Sequence, residues 1–179
     1  MIEIRIHGRG GQGAVTTSQL LAIAAFKDGK QSQGFPNFGV ERRGAPSNAF
    51  VRVDDNVINI RSQVYNPDAV LVLDASLFNA INVTEGLKKE GMIIINTEKK
   101  PEDFKLDGFK VYTVDATKIA MEVFGKPIVN TAIVGAYAAI SGQISLDGLF
   151  KACEQRFGSG DLADKNKEAV KRTYEALKK

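Results

Sequence analysis

A short alternating run, Ile2-Glu3-Ile4-Arg5-Ile6, leads directly into Gly8-Arg9-Gly10-Gly11-Gln12-Gly13. Such a turn has almost no side chains. It can bend through conformations closed to other residues, and its backbone N–H groups can approach a neighbour closely. Residues 14–26 then read as a helix, which places the turn at a helix N-terminus, where an anion or a tightly packed neighbour is received. A strand, a glycine turn and a helix in this order predict the opening of an α/β sheet.

The rest of the chain keeps the alternation. Small residues in the first helix (Ala22, Ala24, Ala25) suggest close approach to a sheet, and Lys27-Asp28-Gly29 predicts its stop. Residues 31–47 are rich in Gly, Pro, Asn and Arg and read as a functional loop. Alternating runs at 49–53 and 57–60 around Asp54-Asp55-Asn56 predict a β-hairpin. The continuous apolar runs 69–74 and 92–96 predict buried central strands, with another strand at 111–114. A helix is expected over 78–89. The C-terminal part predicts helices over 116–124, over 132–140 with Asn130 or Thr131 as cap, over 145–157, and from Asp161 onward with Leu162, Val170, Tyr174 and Leu177 on one face. The expectation is one domain over 1–179: a three-layer α/β/α sandwich with a mostly parallel, Rossmann-like sheet, an antiparallel hairpin at one edge and a helical C-terminal part. Functional loops of such sheets lie at the C-terminal strand ends. Here those ends carry the glycine turn, Asp74 and Asn96.

Composition limits the chemistry. The 179 residues carry a net charge of +3, and the basic excess lies largely in the last helix and Arg42-Arg43, so no nucleic-acid stripe is expected. Cys153 is the single cysteine and His7 the single histidine. That excludes an internal disulfide, a CxxC pair, a self-contained iron–sulfur cluster and a His-based zinc site. No apolar run approaches a membrane span, and the opening strand does not read as a signal peptide, so a cytoplasmic protein is expected.

Gly8, Gly10 and Gly13 fit the G-x-G-x-x-G spacing of dinucleotide sites, but Lys30-Gln31-Ser32-Gln33-Gly34 offers no acidic ribose ligand. A phosphate-like or partner contact, or tight helix–sheet packing alone, are the other readings of the turn. Thr16, Thr17 and Ser18 can bond a phosphate or bond back to their own helix. Glu41-Arg42-Arg43 can hold a carboxylate or phosphate bidentately, or one arginine can pair with Glu41. Phe35 and Phe38 beside them favour an interface. Asp74 is read as a helix cap at Ser76 or Leu77, with a base or ligand holder as the alternative. His7 and Cys153 are read as structural. The uncharged helix around Gly135 and Ala136 is either fully buried or covered by another subunit.

Taken together, Gly8-Arg9-Gly10-Gly11-Gln12-Gly13 with Thr16, Phe38-Gly39-Val40-Glu41-Arg42-Arg43-Gly44-Ala45-Pro46, Ala49-Phe50-Val51-Arg52 and Asn130-Thr131-Ala132 with Gly135-Ala136 resemble the gamma subunit of the 2-oxoacid:ferredoxin oxidoreductases over essentially the whole chain. The Arg-Arg-Gly-Ala-Pro form is similar to the pyruvate or branched-chain branch; a 2-oxoglutarate branch and a free-standing nucleotide-binding oxidoreductase are the alternatives. The resemblance implies a heteromeric complex with alpha, beta and delta subunits. That complex decarboxylates a 2-oxoacid on thiamine diphosphate with Mg2+, passes electrons through [4Fe-4S] clusters to ferredoxin and forms an acyl-coenzyme A. It implies no catalytic residue, metal or cofactor on this chain. It implies partner or ligand contacts, coenzyme A among them, at Gly8, Gly10, Gly11, Gln12, Gly13, Thr16, Glu41, Arg42, Arg43 and Asn130. A homodimer of the isolated chain is a further expectation.

Overall fold

Six strands form one sheet in the order β2-β3-β1-β4-β5-β6. They are β1 (Ile2–Arg9), β2 (Gln31–Pro36), β3 (Pro46–Asp54), β4 (Ala69–Val72), β5 (Met92–Asn96) and β6 (Lys110–Val114). The computed structural model describes residues 1–37 and 42–178; Phe38 and Glu41, singled out above, lie outside them. The pairs β1–β4, β4–β5 and β5–β6 are parallel. β3 is antiparallel to both β1 and β2.

The α-helices are α1 (Ala14–Lys27), α2 (Ala116–Phe124), α3 (Val129–Ser141), α4 (Leu146–Phe157) and α5 (Asp161–Leu177). They cover one sheet face. Strand alternation turns Ile4, Ile6, Val51, Leu71 and Ile94 toward them, all fully buried. Each such side chain contributes roughly 1.5–3 kcal/mol relative to exposure. The other face carries Val70, Val72, Ile93 and Ile95, covered by Leu77 of the 3-10 helix Ala75–Asn79, by Val83 and Leu87 from irregular chain and by partly buried Phe104, which ends the 3-10 turn Pro101–Phe104. The expected sandwich therefore holds, with 3-10 turns and loops as its third layer. Among the described residues no helix is long and apolar enough to cross a membrane.

Four local expectations are corrected. The antiparallel hairpin pairs β2 with β3, so the first part of the expected 31–47 loop is a strand, and 57–60 is irregular. Both edges of β3 are already occupied by β1 and β2, so 57–60 cannot pair with β3 as the second arm of a hairpin. In place of a helix over 78–89, the short 3-10 helix Ala75–Asn79 is followed by turns and irregular chain over 80–89. There Asn82 Oδ1 accepts the Thr84 N–H at 3.1 Å, an Asx turn that competes with helix. α3 begins at Val129 with Ile128 as cap, so neither Asn130 nor Thr131 caps it. On α5, Leu162 is exposed; the buried face is Ala163, Asn166, Ala169, Val170 and Thr173.

Candidate functional site

β1 runs further than its apolar residues predict. Gly8 and Arg9 still pair with Ser47 and Pro46 of β3, so the turn proper is 10–13. Gly10 then bridges to Arg43. The Gly10 N–H donates to the Ala45 carbonyl at 2.8 Å and the Gly44 N–H donates to the Gly10 carbonyl at 3.0 Å. A Cβ on Gly10 would collide with the Arg42 carbonyl oxygen. Glycine at this position is what lets the arginine loop lie against the glycine turn. The two strongest sequence signals are thus one structural unit.

Gln12 and Asp74 complete it. Gln12 Oε1 accepts the Arg9 N–H at 2.7 Å, and Gln12 Nε2 donates to Asp74 Oδ2 at 3.0 Å. Arg9 Nε donates to the same oxygen at 3.1 Å, and Arg9 also donates to the Gly44 carbonyl at 3.1 Å and to Ser76 Oγ at 2.8 Å. Asp74 Oδ1 accepts the Ser76 N–H at 2.9 Å, the helix cap that its position predicts. Burial works to raise the Asp74 pKa, but the hydrogen bonds from Ser76 and Gln12 and the charge of Arg9 outweigh it and hold the carboxyl below its usual range. No sequence motif gives Arg9 a role of its own. Its signal was topological: β1 and β4 are adjacent and parallel, so residues just past their C-terminal ends meet.

The third motif arrives from far along the chain. Gly13, at φ +85°, precedes α1, and a Cβ there would strike the Asn130 carboxamide. Asn130 Oδ1 accepts the Thr131 N–H at 2.8 Å. Thr17 Oγ1 donates to the Asn130 carbonyl at 2.9 Å and to the Gly13 carbonyl at 3.1 Å, and Ser18 Oγ donates to the Val15 carbonyl at 2.8 Å. These two hydroxyls therefore serve backbone. Thr16 is half-buried beside them.

The N-termini of α1 and α3 meet here. Neither has a side-chain cap or an acidic residue in its first turn, unlike α2 with Asp115 and α4 with Ser145. Apart from the Thr131 N–H, which Asn130 Oδ1 takes, the N–H groups of their first turns carry partial positive charge. Arg42 and Arg43 are exposed on the neighbouring loop, and neither makes an ion pair among the described residues. The result is a donor-rich, positively charged rim suited to an anionic group.

A dinucleotide fits this frame poorly. β3, antiparallel, occupies the place beside β1 where a parallel second strand would carry the ribose ligand, and β2 ends at Pro36-Asn37 without an acid. Cys153 is sealed in the core, where burial pushes its thiol up to about 12, and no group of three His, Cys, Asp or Glu gathers among the described residues. His7 is 4% exposed, and neither ring nitrogen has a hydrogen-bond partner. Burial, with the charge of Arg5, lowers its pKa to about 4 against a weak opposing pull from the Val83 backbone, so the ring is neutral at pH 7. The uncharged helix α3 is buried by the chain itself, Gly135 lying against Val170 of α5.

Residues 3–176 match the pyruvate ferredoxin/flavodoxin oxidoreductase family. The chain is 56% identical to the pyruvate synthase subunit PorC of Methanocaldococcus jannaschii, covering 100% of this chain and 99% of that one. It is 52% identical to the common gamma subunit of the pyruvate/ketoisovalerate oxidoreductases of Pyrococcus furiosus, covering 98% and 96%. The crystal structure of the pyruvate oxidoreductase subunit PORC of Thermotoga maritima superimposes with a TM-score of 0.84 at 40% identity, covering 97% of this chain and 95% of that one. Sequence and fold agree: the chain belongs to the pyruvate ferredoxin/flavodoxin oxidoreductase family, as one of its gamma subunits.

Proposed function

We propose that this chain is the gamma subunit of a pyruvate:ferredoxin oxidoreductase and that its rim faces the coenzyme A used by the complex. The complex decarboxylates the 2-oxoacid on thiamine diphosphate, passes electrons through iron–sulfur clusters to ferredoxin and transfers the acyl group to coenzyme A. Alpha, beta and delta subunits hold those cofactors. This chain supplies a shaped, positively charged wall. Gly8, Gly10, Gly11 and Gln12 hold the arginine loop in place, while Gly13, Thr16, Arg42, Arg43 and Asn130 form the surface presented to ligand or partner. Glu41 belongs to the same motif.

One observation carries the reading. Two uncapped helix N-termini and two exposed arginines share one rim, a combination that favours phosphate. The substrate is assigned from relatives described as acting on pyruvate. A 2-oxoisovalerate specificity is the second reading, because the Pyrococcus furiosus gamma chain is described as common to pyruvate and ketoisovalerate enzymes. Substrate choice then lies on the other subunits.

Arg43→Ala tests the proposal in the purified complex. The expected result is a rise of about tenfold in the KM for coenzyme A, the size of one lost charge-assisted contact, with assembly intact. Unchanged assembly together with unchanged coenzyme A kinetics would remove the rim from the function.

A further inference from the structure

Arg42 and Arg43 sit on a loop whose attachment depends on a residue they never touch. Among the described residues, three bonds fasten that loop to the glycine turn and the end of β1. Two are backbone, Gly10 to Ala45 and Gly44 to Gly10. The third runs from the Arg9 guanidinium to the Gly44 carbonyl. An arginine side chain is long and rotatable, so this third bond holds only if the guanidinium is fixed from its other side. Asp74 fixes it. Its Oδ2 receives both Arg9 Nε and Gln12 Nε2, while its Oδ1 receives the backbone and hydroxyl of Ser76. Ser76 Oγ in turn receives a second Arg9 nitrogen. The carboxylate thus has one oxygen on the first turn of the 3-10 helix Ala75–Asn79 and the other on Arg9 and Gln12 at the end of β1 and the glycine turn.

We infer that Asp74 is a positioning residue: through Arg9 and Gln12 it sets where Arg42 and Arg43 stand relative to the N-termini of α1 and α3. This rests on the reading of the rim as the surface that faces coenzyme A. It adds a residue to that surface's machinery that contacts no ligand, and it separates two roles of one carboxylate, the cap on Ser76 and the clamp on Arg9.

The two roles come apart chemically. In Asp74→Asn the side-chain carbonyl can still accept from Ser76, but the introduced NH2 then faces Arg9 Nε and Gln12 Nε2, donor against donors. The cap survives and the clamp breaks. In the double variant Gln12→Glu/Asp74→Asn the polarity of the Gln12–Asp74 bond is reversed. The introduced carboxylate can accept from the introduced amide and still accept the Arg9 N–H, with a negative charge again beside Arg9.

The experiment compares the assembled wild-type complex with D74N, Q12E/D74N and R43A by coenzyme A kinetics and amide hydrogen exchange. D74N is expected to raise the coenzyme A KM about 5- to 10-fold with kcat changed less than about twofold, as a lost positioning contact does. It is also expected to speed exchange at the Gly10 and Gly44 amides, and the double variant is expected to recover most of both effects. If R43A raises the KM while D74N leaves KM and exchange at wild-type values, the inference is overturned and the rim reading stands. If R43A leaves the KM unchanged, the rim reading fails, while faster Gly44 exchange in D74N rescued by Q12E/D74N still supports the clamp. Loss of the complex in D74N without rescue by the double variant assigns Asp74 to structure alone and overturns the inference.

Discussion

The Thr17 hydroxyl donates to the Asn130 carbonyl at 2.9 Å, joining the first turn of α1 to the first turn of α3 across 113 residues of chain. Thr17 is fully buried, so this bond is sheltered from competing water. It holds two uncapped helix ends side by side, and Gly13 fits between them only because it has no side chain. The positive rim is therefore a product of tertiary packing, built where two helices with unsatisfied N–H groups are forced together.

Gly13→Ala should be costly for two separable reasons. The residue holds φ at +85°, and an added Cβ would strike Asn130. We expect a loss of about 2 kcal/mol, roughly half from the left-handed backbone and half from the collision. Urea unfolding of Gly13→Ala, Asn130→Gly and the double variant separates the parts. The double should cost about 1 kcal/mol less than the sum of the singles if the collision is real.

His7 gives the fold a defined response to acid. Its pKa is about 4 in the folded chain and about 6.5 unfolded, because burial and Arg5 disfavour the imidazolium. The folded state therefore binds fewer protons. The His7 contribution is complete above about pH 6.5, is lost as pH falls toward 4, and levels off below that, amounting to about 3 kcal/mol by linkage. Equilibrium unfolding at several pH values checks this, and His7→Leu should flatten the slope in that window. Asp54, held down to about 2 by the amino terminus, acts in a lower window, losing its contribution as pH falls from the ordinary aspartate range toward 2.

What the sequence made legible follows from where the information lies. β5 and α2 are as expected because each carries its own signal: an unbroken apolar run at 92–96, and an amphipathic turn pattern stopped by Gly125. β2 was hidden because Gln31-Ser32-Gln33-Gly34 has no apolar alternation. It is a strand because β3 pairs with it and because Gly34 lets its backbone lie on Ser18 of α1. Residues 57–60 have the opposite history, strand-like in composition but with both edges of the neighbouring β3 already taken by β1 and β2. Their carbonyls go to side chains instead, Ile58 to Gln33 and Ile60 to Arg52. At the site, the glycine turn, Asp74 and the arginine loop were each visible. Their union through Arg9 was not, since it depends on β4 lying beside β1.

Cys153 should behave as an inert core residue. It is fully buried, and desolvation pushes its thiol up to about 12, so at pH 8 almost none is thiolate. Labelling with iodoacetamide should be negligible in the native chain and complete in urea. Rapid native labelling would mean that α4 opens locally.

Arg52 offers a test of how the sheet's second face is closed. It is 1% exposed, and its guanidinium meets Glu3 at 2.8 Å, the Gln63 carbonyl at 3.1 Å and the Ile60 carbonyl at 3.4 Å, with the Phe35 ring centroid 5.2 Å away. Beside the Gln33–Ile58 bond, one buried cation thus fastens to the sheet a segment with no ladder of its own. Arg52→Met keeps the apolar stem but strands the Glu3 carboxylate and frees both carbonyls. Removing one partner of a buried pair costs about 3 kcal/mol, whereas removing both costs far less. Glu3→Leu/Arg52→Met should therefore be more stable than Arg52→Met alone. Both variants lose the tie on 60–63, so both should be cut there faster than wild type in limited proteolysis. A double variant as unstable as the single would show that the cost lies in the released segment and not in the stranded charge.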